Sequence, residues 1–374
     1  MLSKLAYFVA CVASAFGAVY YIEPAPVAPY FCTASQPCRL QDLPSTFTLS
    51  DSVIFLPATT GTSSTYASGT KTLNKPSITL TPGITFSAFT LNVQNSNSVG
   101  CTATVNFQSA STLATVSVGT VSANGCNFDN SQFVTVSAST VTFQNAAVSG
   151  MTSSKKVQLG GNSVTVDTVS FSSGSTSVPA LAVLTGTADS TFSLNSISMN
   201  SVTTTGTNSL ISVQAIGGKK FSLTSQSPSF TSCTSGAALI ELRISANTNP
   251  NTFTCDADLQ SLTASGGSVV QGIYYFNNGD DKGVIDAIMA ITTAGTVNYN
   301  SGPVLSLNAN TGVVSVNGWQ QNSNTFCGGS NAATLVTCSG TSSNANILLN
   351  GETDGTTLVS GCGSTTMVNM GSTC

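Results

Sequence analysis

The residues best suited to chemistry in this chain are carboxylates, because the sequence contains no histidine. Ser-His-Asp and Cys-His nucleophile systems and histidine-ligated metals are therefore excluded. Asp256 and Asp258 are two residues apart, so in a β-strand they would share one face. Asp280, Asp281 and Asp286 form the densest charged cluster. Carboxylates grouped in this way could flank a glycosidic bond or hold Ca²⁺.

The same carboxylates also fit a purely structural role. Residues 277–283 read Asn-Asn-Gly-Asp-Asp-Lys-Gly, which is typical of a turn. Glu241 and Arg243 are two residues apart, which fits an outward charge pair on one strand. The sequence therefore predicts no catalytic or cofactor-binding site, no cofactor and no enzyme activity. The five aspartates remain candidates for a metal or a polysaccharide lyase or hydrolase site.

Of the 11 cysteines, only Cys11 lies in the apolar N-terminal segment. The other ten cysteines are an even number, as expected of disulfides in an oxidising compartment. The expected pairs are Cys32 with Cys38, Cys327 with Cys338, Cys362 with Cys374, Cys101 with Cys126 and Cys233 with Cys255. The last two pairs are separated by nearly one repeat, so stacking of repeats could bring them together. No Cys-x-x-Cys motif occurs, so a zinc site is not expected.

A repeat of about 29 to 30 residues positions these groups. Successive aliphatic runs begin at Leu181, Leu210, Leu239, Val269, Val304 and Leu335. A second run begins at Phe192, Phe221 and Phe253. Glycines precede successive copies at Gly206, Gly236, Gly266 and Gly302, where a positive φ is expected as the chain passes from one strand to the next. Apolar residues alternate with Ser, Thr and Asn, which indicates strands. Because one short repeat cannot bury its apolar face, neighbouring repeats must stack.

The pattern thus predicts an all-β parallel β-helix (β-solenoid) with coils of about 20–30 residues, and a β-sandwich pair is the alternative. The segments 230–240 and 192–195 resemble the Phe-x-x-Asn and Gly-Gly-Ala-Ile repeats of the chlamydial polymorphic membrane proteins. More broadly, they resemble the right-handed, pectin-lyase-like parallel β-helix superfamily. The resemblance implies a β-helix used for surface display or adhesion, or a carbohydrate-active enzyme.

The expected organisation has five parts. Residues 1–17 carry Lys4 and an apolar run, as in a cleaved secretory signal with a cut after Gly17 or Ala15. The other parts are a Pro-containing arm at 18–31, an N-terminal cap with the first coils at 32–104, the β-helix at 105–340 and a Cys-containing C-terminal cap at 341–374. No later segment is apolar enough to span a membrane.

Charge is sparse, at 6% of residues, and the pI is about 4.6. The few basic residues form no stripe, so nucleic acid is not an expected partner. Because charged residues are few, electrostatic repulsion gives little protection against self-association. The sequence also contains no Asn-x-Ser/Thr site, which is expected of a surface that contacts copies of itself or another polymer.

Taken together, these features predict a secreted, extracellular structural or adhesive protein of a coat, wall or matrix. Its expected partners are itself and other matrix or surface components, including polysaccharide. A carbohydrate-binding or carbohydrate-cleaving β-helix is one alternative. An ice-binding solenoid is another, but it needs a threonine at the same place in every coil, and the repeats show none.

Overall fold

The structure is a computed structural model of the chain. It describes residues 17–26, 31–59, 64–101, 105–154, 156–217, 219 and 221–244, with side chains as far as Arg243. Beyond residue 244 it describes only the backbone of strands between residues 256 and 368.

The described residues form β-strands and one 3-10 helix, at Leu40–Asp42. The first strands are Val19–Ile22 (β1), Ser52–Phe55 (β2), Thr65–Asn74 (β3), Ser77–Leu80 (β4), Thr85–Gln94 (β5), Ser98–Cys101 (β6), Asn106–Gln108 (β7), Thr112–Val116 (β8), Thr120–Asn124 (β9), Asn127–Asp129 (β10), Gln132–Gln144 (β11), Ala147–Ser153 (β12), Val157–Asp167 (β13) and Ser170–Thr176 (β14).

The later strands are Leu181–Thr185 (β15), Ser190–Asn195 (β16), Ser198–Thr204 (β17), Ile211–Ala215 (β18), Phe221–Gln226 (β19), Ser229–Thr231 (β20), Thr234–Ile244 (β21), Asp256–Gln260 (β22), Thr263–Ser265 (β23), Ser268–Asn277 (β24), Ala287–Thr293 (β25), Leu305–Ala309 (β26), Val314–Gln321 (β27), Val336–Gly340 (β28), Asn346–Asn350 (β29), Val359–Ser360 (β30) and Ser364–Val368 (β31).

All pairings among these strands are parallel, and each strand pairs with the strand about one coil away. Leu113 pairs with Phe133, whereas Leu223 pairs with Ala257, so the later coil is much the longer of the two. This is the predicted parallel β-solenoid, and it rules out the sandwich, whose sheets are antiparallel. The coil from Leu223 to Ala257 is longer than the sequence-based range.

Three faces run along the solenoid, and we name them by the strands that stack in them. Face A contains β7, β10, β12, β14, β17, β20 and β23. Face B contains β8, the first parts of β11 and β13, then β15, β18 and the end of β21. Face C contains β2, β4, β6, β9, the last parts of β11 and β13, then β16, β19 and β22.

A column of aromatic rings fills the core behind face A. Phe86, Phe107 and Phe128 occupy the same register position in successive coils. Their ring centroids are 4.9 and 4.8 Å apart, and the planes lie within 14° of parallel. Parallel strands place identical residues directly above one another, so the column follows from the register. Val148 and Phe171 continue it in the next coils.

The observed register corrects three details of the sequence-based alignment. In the second run, Phe192 pairs with Leu223 and not with Phe221. The other two corrections concern the first run. Leu181 pairs with Ile211, one residue beyond Leu210. Val269 pairs with Ser235, whereas Ile273 is the residue that continues the aliphatic column. Both elements contain adjacent aliphatic residues, so the aliphatic run alone does not specify which residue points inward.

Corners between faces use residues with positive φ. Gly206 has φ of 70°, as expected, but Ser117, Ser137 and Asn95 also adopt φ between 49° and 58°. The expectation is wrong for Gly236, whose φ is not positive. A side chain at Gly236 would collide with the backbone of Gly206, so close coil contact explains that glycine.

The N-terminal edge of the solenoid is covered. Tyr21, within the range expected to be an arm, lies in β1 and pairs with Ile54 of β2. On the other edge of β1, the Tyr21 amide donates to the Cys32 carbonyl at 2.9 Å, and the Cys38 amide donates to the Tyr21 carbonyl at 2.9 Å. A covered edge strand cannot template pairing with another chain.

Two of the expected disulfides are present. Cys32–Cys38 closes the loop that covers β1, with Cα atoms 4.4 Å apart. Cys101–Cys126 joins cysteines with a sequence separation of 25, and its Cα atoms are 6.2 Å apart. This second bond links neighbouring coils, because Cys101 pairs in register with Ala123.

Truncation of the central ring should measure how much the aromatic column contributes. Phe107 is 0% exposed, so Phe107→Ala leaves a cavity and should lower the free energy of unfolding by about 3–5 kcal/mol. Urea or thermal denaturation followed by circular dichroism measures the change. Phe31, which is 63% exposed, is the matched control, and Phe31→Ala should change stability by at most about 0.5 kcal/mol. Equal losses in the two variants would contradict this account.

Candidate functional site

A file of hydroxyl side chains runs along the outside of face C. In eight successive coils the same outward position is serine or threonine, and the members are Ser52, Ser77, Ser98, Thr120, Thr140, Ser163, Thr191 and Ser222. No register shift interrupts the file between Ser52 and Ser222. The hydroxyls therefore repeat at the strand spacing of about 4.8 Å.

A second file lies two residues further along each strand. Its members are Thr79, Gly100, Ser122, Thr142, Thr165, Ser193 and Thr224, with Ile54 before them in the first coil. Residues two apart on a strand share a face and are about 6.6 Å apart. We call the two files together the hydroxyl face.

Alternation of residue types builds the hydroxyl face. Between the files runs a column of buried apolar residues that includes Val121, Val141 and Val164, each at most 1% exposed. Apart from β2 and β6, the strands therefore read polar, apolar, polar, with the apolar side chain in the core. Threonine suits such positions because its β-branch fits a pleated surface.

The hydroxyls of the face point to solvent. Thr120, Thr140, Thr191 and Thr224 are exposed, and the other members are exposed or half-buried. Among the described residues, Ser193 alone in the two files has a side-chain hydrogen bond, accepted from the Asn195 amide at 3.0 Å. The remaining hydroxyls keep their donor and acceptor capacity for a partner.

The outward positions of faces A and B are mixed by comparison. On face A they include the carboxylate of Asp129, which accepts a hydrogen bond from Ser149 at 3.1 Å. On face B the same outward position is occupied by Ala114, Val134 and Gln158 in successive coils. Face A also has shorter runs of hydroxyls, such as Ser170, Ser198 and Ser229. Among the described side chains, only face C keeps a hydroxyl at one outward position through eight successive coils.

No threonine recurs at the same place in every coil, as the sequence led us to expect. A serine or threonine nevertheless occupies one outward position in each coil from Ser52 to Ser222. Triplets such as Thr120-Val121-Ser122 and Thr140-Val141-Thr142 carry this pattern in the sequence. Unequal coil lengths hide the column, because the sequence pattern on face C aligns Phe192 with Phe221, whereas Phe192 pairs with Leu223.

Two candidate aspartates lie at the end of the hydroxyl face. Asp256 pairs in register with Ser222, and Asp258 pairs with Thr224. The two carboxylate-bearing residues thus occupy the next positions of the first and second files. Asp280, Asp281 and Asp286 lie outside the described residues, so their candidate site stays a prediction. No group of three or more potential metal ligands occurs in the described part of the chain.

A buried carboxylate lies on face B. Glu241 is 4% exposed and accepts hydrogen bonds from Arg243 Nε at 3.0 Å and Nη2 at 2.6 Å. Its other oxygen accepts from Ser212 Oγ at 3.1 Å, and Ser212 accepts from Gln214 at 2.9 Å. Glu241 and Arg243 thus form the expected charge pair within β21, although the carboxylate is buried. Ser212 and Gln214 extend the network to the adjoining strand β18 and satisfy the second oxygen.

The remaining cysteine candidates divide between described and undescribed residues. Cys233 is a buried free thiol, and burial raises the pKa of Cys233, which disfavours the reactive thiolate. Its expected partner Cys255, and also Cys327, Cys362 and Cys374, lie outside the described residues. Cys338 lies in β28.

Comparisons with known proteins add no relative. No protein-family model matches the chain, and no curated protein or solved structure matches it significantly. No helix in the described part of the chain has the length and apolar character needed to cross a membrane. The functional inference therefore depends on the fold and on the hydroxyl face.

Removal of the Arg243 guanidinium tests the structural role of the face B network. Arg243→Met leaves the buried Glu241 carboxylate without its charged donor and should cost about 1–2 kcal/mol of folding free energy. The loss is measured by thermal or urea denaturation. Lys156→Met removes a half-buried cation beside the same face and should be neutral within about 0.5 kcal/mol. An unchanged stability of Arg243→Met would show that the network contributes nothing.

Proposed function

We propose that this protein is a secreted structural or adhesive component of an extracellular layer and acts by surface contact through the hydroxyl face. The file of serine and threonine that continues through eight coils of face C, with the second file beside it, carries the proposal. A regular array of neutral donors and acceptors suits contact with an extended, repeating partner, because many weak contacts form together. It offers no pocket chemistry of the kind that a small substrate needs.

Two features of the sequence support a role in surface contact. The absence of Asn-x-Ser/Thr sites means that no N-linked glycan covers the face. Charge is only 6% of residues, so electrostatic repulsion between neighbouring molecules is low. Because the Cys32–Cys38 loop covers the β1 edge, self-assembly is proposed to be lateral, face against face, at this end of the solenoid.

Secretion is supported by the disulfides and by a hydrogen bond of Ala18. The Cys32–Cys38 and Cys101–Cys126 bonds are compatible with an oxidising compartment. Ala18 N donates to Asp51 Oδ1 at 2.8 Å. If the signal is cut after Gly17, the new ammonium group of Ala18 lies on a carboxylate, which favours this cut over the one after Ala15.

Membership of the right-handed, pectin-lyase-like superfamily remains part of the proposal. The parallel coils and the buried apolar columns support it. The carbohydrate-binding or carbohydrate-cleaving alternative stays a prediction.

The contact role is tested by returning purified protein to the insoluble extracellular fraction of its producing cells. Wild type should sediment with that fraction. Thr142→Tyr places a ring in the middle of the hydroxyl face and should reduce sedimentation several-fold. Ser172→Tyr, at an exposed outward position of face A, should behave as wild type. Equal retention of the two variants, or no retention of wild type, would contradict the proposal.

The processed N-terminus gives a second test. Burial alone would raise the pKa of Asp51, but hydrogen bonds from the backbone of Thr48 and Ala18 and from the Thr48 hydroxyl hold it below its usual value. A lowered folded-state pKa adds stability above the unfolded pKa, and this stability is lost as the pH falls through the folded pKa. Asp51→Asn should therefore lower the melting temperature at pH 7 and flatten its fall under acid conditions.

Mass spectrometry of the secreted protein should find Ala18 as the first residue. A mature chain that begins elsewhere would remove the ion pair. A variant with the acid dependence of wild type would remove the role of the Asp51 carboxylate.

A further inference from the structure

We infer that the hydroxyl face binds crystalline water, that is, an ice surface. The inference rests on the proposed function, because it names the partner of the same face. It depends on four properties of that face, which are its lattice, its neutrality, its lack of aromatic groups and its rigidity.

The hydroxyl face is a two-dimensional lattice. Thr120, Thr140 and Ser163 repeat along the solenoid axis, while Thr142 lies beside Thr140 across the axis. The repeat distances are about 4.8 Å along the axis and about 6.6 Å across it. Both are distances over which hydrogen-bonded waters can bridge, at about 2.8 Å for each O–H···O step. An ordered layer of water can therefore bond to hydroxyls at both spacings.

The chemistry of the face matches water in charge and in hydrogen bonding. A hydroxyl both donates and accepts, as water does. From Ser52 to Ser222 neither file contains a charged residue, so the complementary partner is neutral. The carboxylates lie at the borders of the face: Asp256 and Asp258 take the next positions of the two files, and Asp51 directly precedes Ser52. Asp167 lies two residues beyond Thr165 on β13 and accepts a hydrogen bond from Thr168 at 3.2 Å.

The lack of aromatic side chains on the face favours water over a polysaccharide. Protein surfaces that bind sugar rings commonly use aromatic rings, because one face of a sugar is apolar. Between Ser52 and Thr224, the rings on the face C strands point inward, as Phe143 and Phe192 do at 0% exposure. The outward groups are hydroxyls and the methyl groups of threonine, which suit a water lattice.

The hydroxyl face is already rigid in the free protein. Each strand of face C pairs with both neighbours, and the intervening valines are buried. β-Branched side chains also have few rotamers. Little conformational entropy is therefore lost on binding, so weak hydroxyl–water bonds can add up.

One position on the face is incomplete. Gly100 lies in the second file between Thr79 and Ser122. A Cβ atom there would have Ile78 O as its nearest neighbour at 3.8 Å, which is an ordinary contact. Gly100→Thr should therefore be accommodated and should extend the array without other changes.

The experiment uses the secreted, disulfide-bonded protein and pure ice as the probe. Partition of the protein into a slowly growing ice front and the thermal hysteresis of the solution are measured. Wild type should enter the ice and depress the freezing point below the melting point. Thr142→Tyr should reduce both signals several-fold, Ser172→Tyr should leave them unchanged, and Gly100→Thr should maintain or raise them. Circular dichroism and thermal melting confirm that all variants fold equally.

The outcomes separate this inference from the proposed function. If wild type neither enters ice nor shows hysteresis, yet sediments with the extracellular fraction in a Thr142-dependent way, the ice inference is overturned and surface contact stands. In that case sedimentation with cellulose or chitin tests a polysaccharide partner. If ice activity is present but equal in Thr142→Tyr and Ser172→Tyr, the hydroxyl face is not the ice-binding surface. If wild type fails both the ice and the sedimentation assays, both proposals fall.

Discussion

The parallel hydrogen-bond ladder between coils is the constraint on which the rest of this molecule depends. Each strand shares its backbone hydrogen bonds with strands one coil before and one coil after it. Because a parallel ladder stacks equivalent positions at one strand spacing, any side chain that recurs becomes a column. Inside, recurrence produces the stack of Phe86, Phe107 and Phe128. Outside, the same rule produces the files of the hydroxyl face.

Corners absorb the variation in coil length, which leaves the faces in register. β8 ends at Val116 and β9 begins at Thr120, whereas β18 ends at Ala215 and β19 begins at Phe221. The strands on either side remain paired in both regions. Extra residues therefore enter between the faces, in surface loops that tolerate changes in length. This separation lets one face keep a strict pattern while the coils lengthen along the solenoid.

Between Ser52 and Thr224 the two files contain no charged residue, and the first charges in them are Asp256 and Asp258 at the next positions. Glu241 is satisfied by Arg243 and Ser212 on face B, and Asp51 receives backbone hydrogen bonds next to the first residue of face C. A charge within the lattice would be costly to desolvate against a neutral partner. The sparse charge of the composition and the uniform face are thus two aspects of one design for contact with an extended neutral surface.

Composition, alternation and cysteine spacing were enough to predict the solenoid, the approximate coil length and two disulfides, because these are local features repeated many times. Strand residues such as Val141 alternate with polar neighbours, which identifies strands without a partner. The register is different, since it depends on which residue of one coil meets which residue of the next. Leu181 could align with Leu210 or Ile211 at almost equal cost in buried area. Only the folded ladder decides between them. In the same way, only the register of the strands on face C places Thr120, Thr140 and Ser163 in one column.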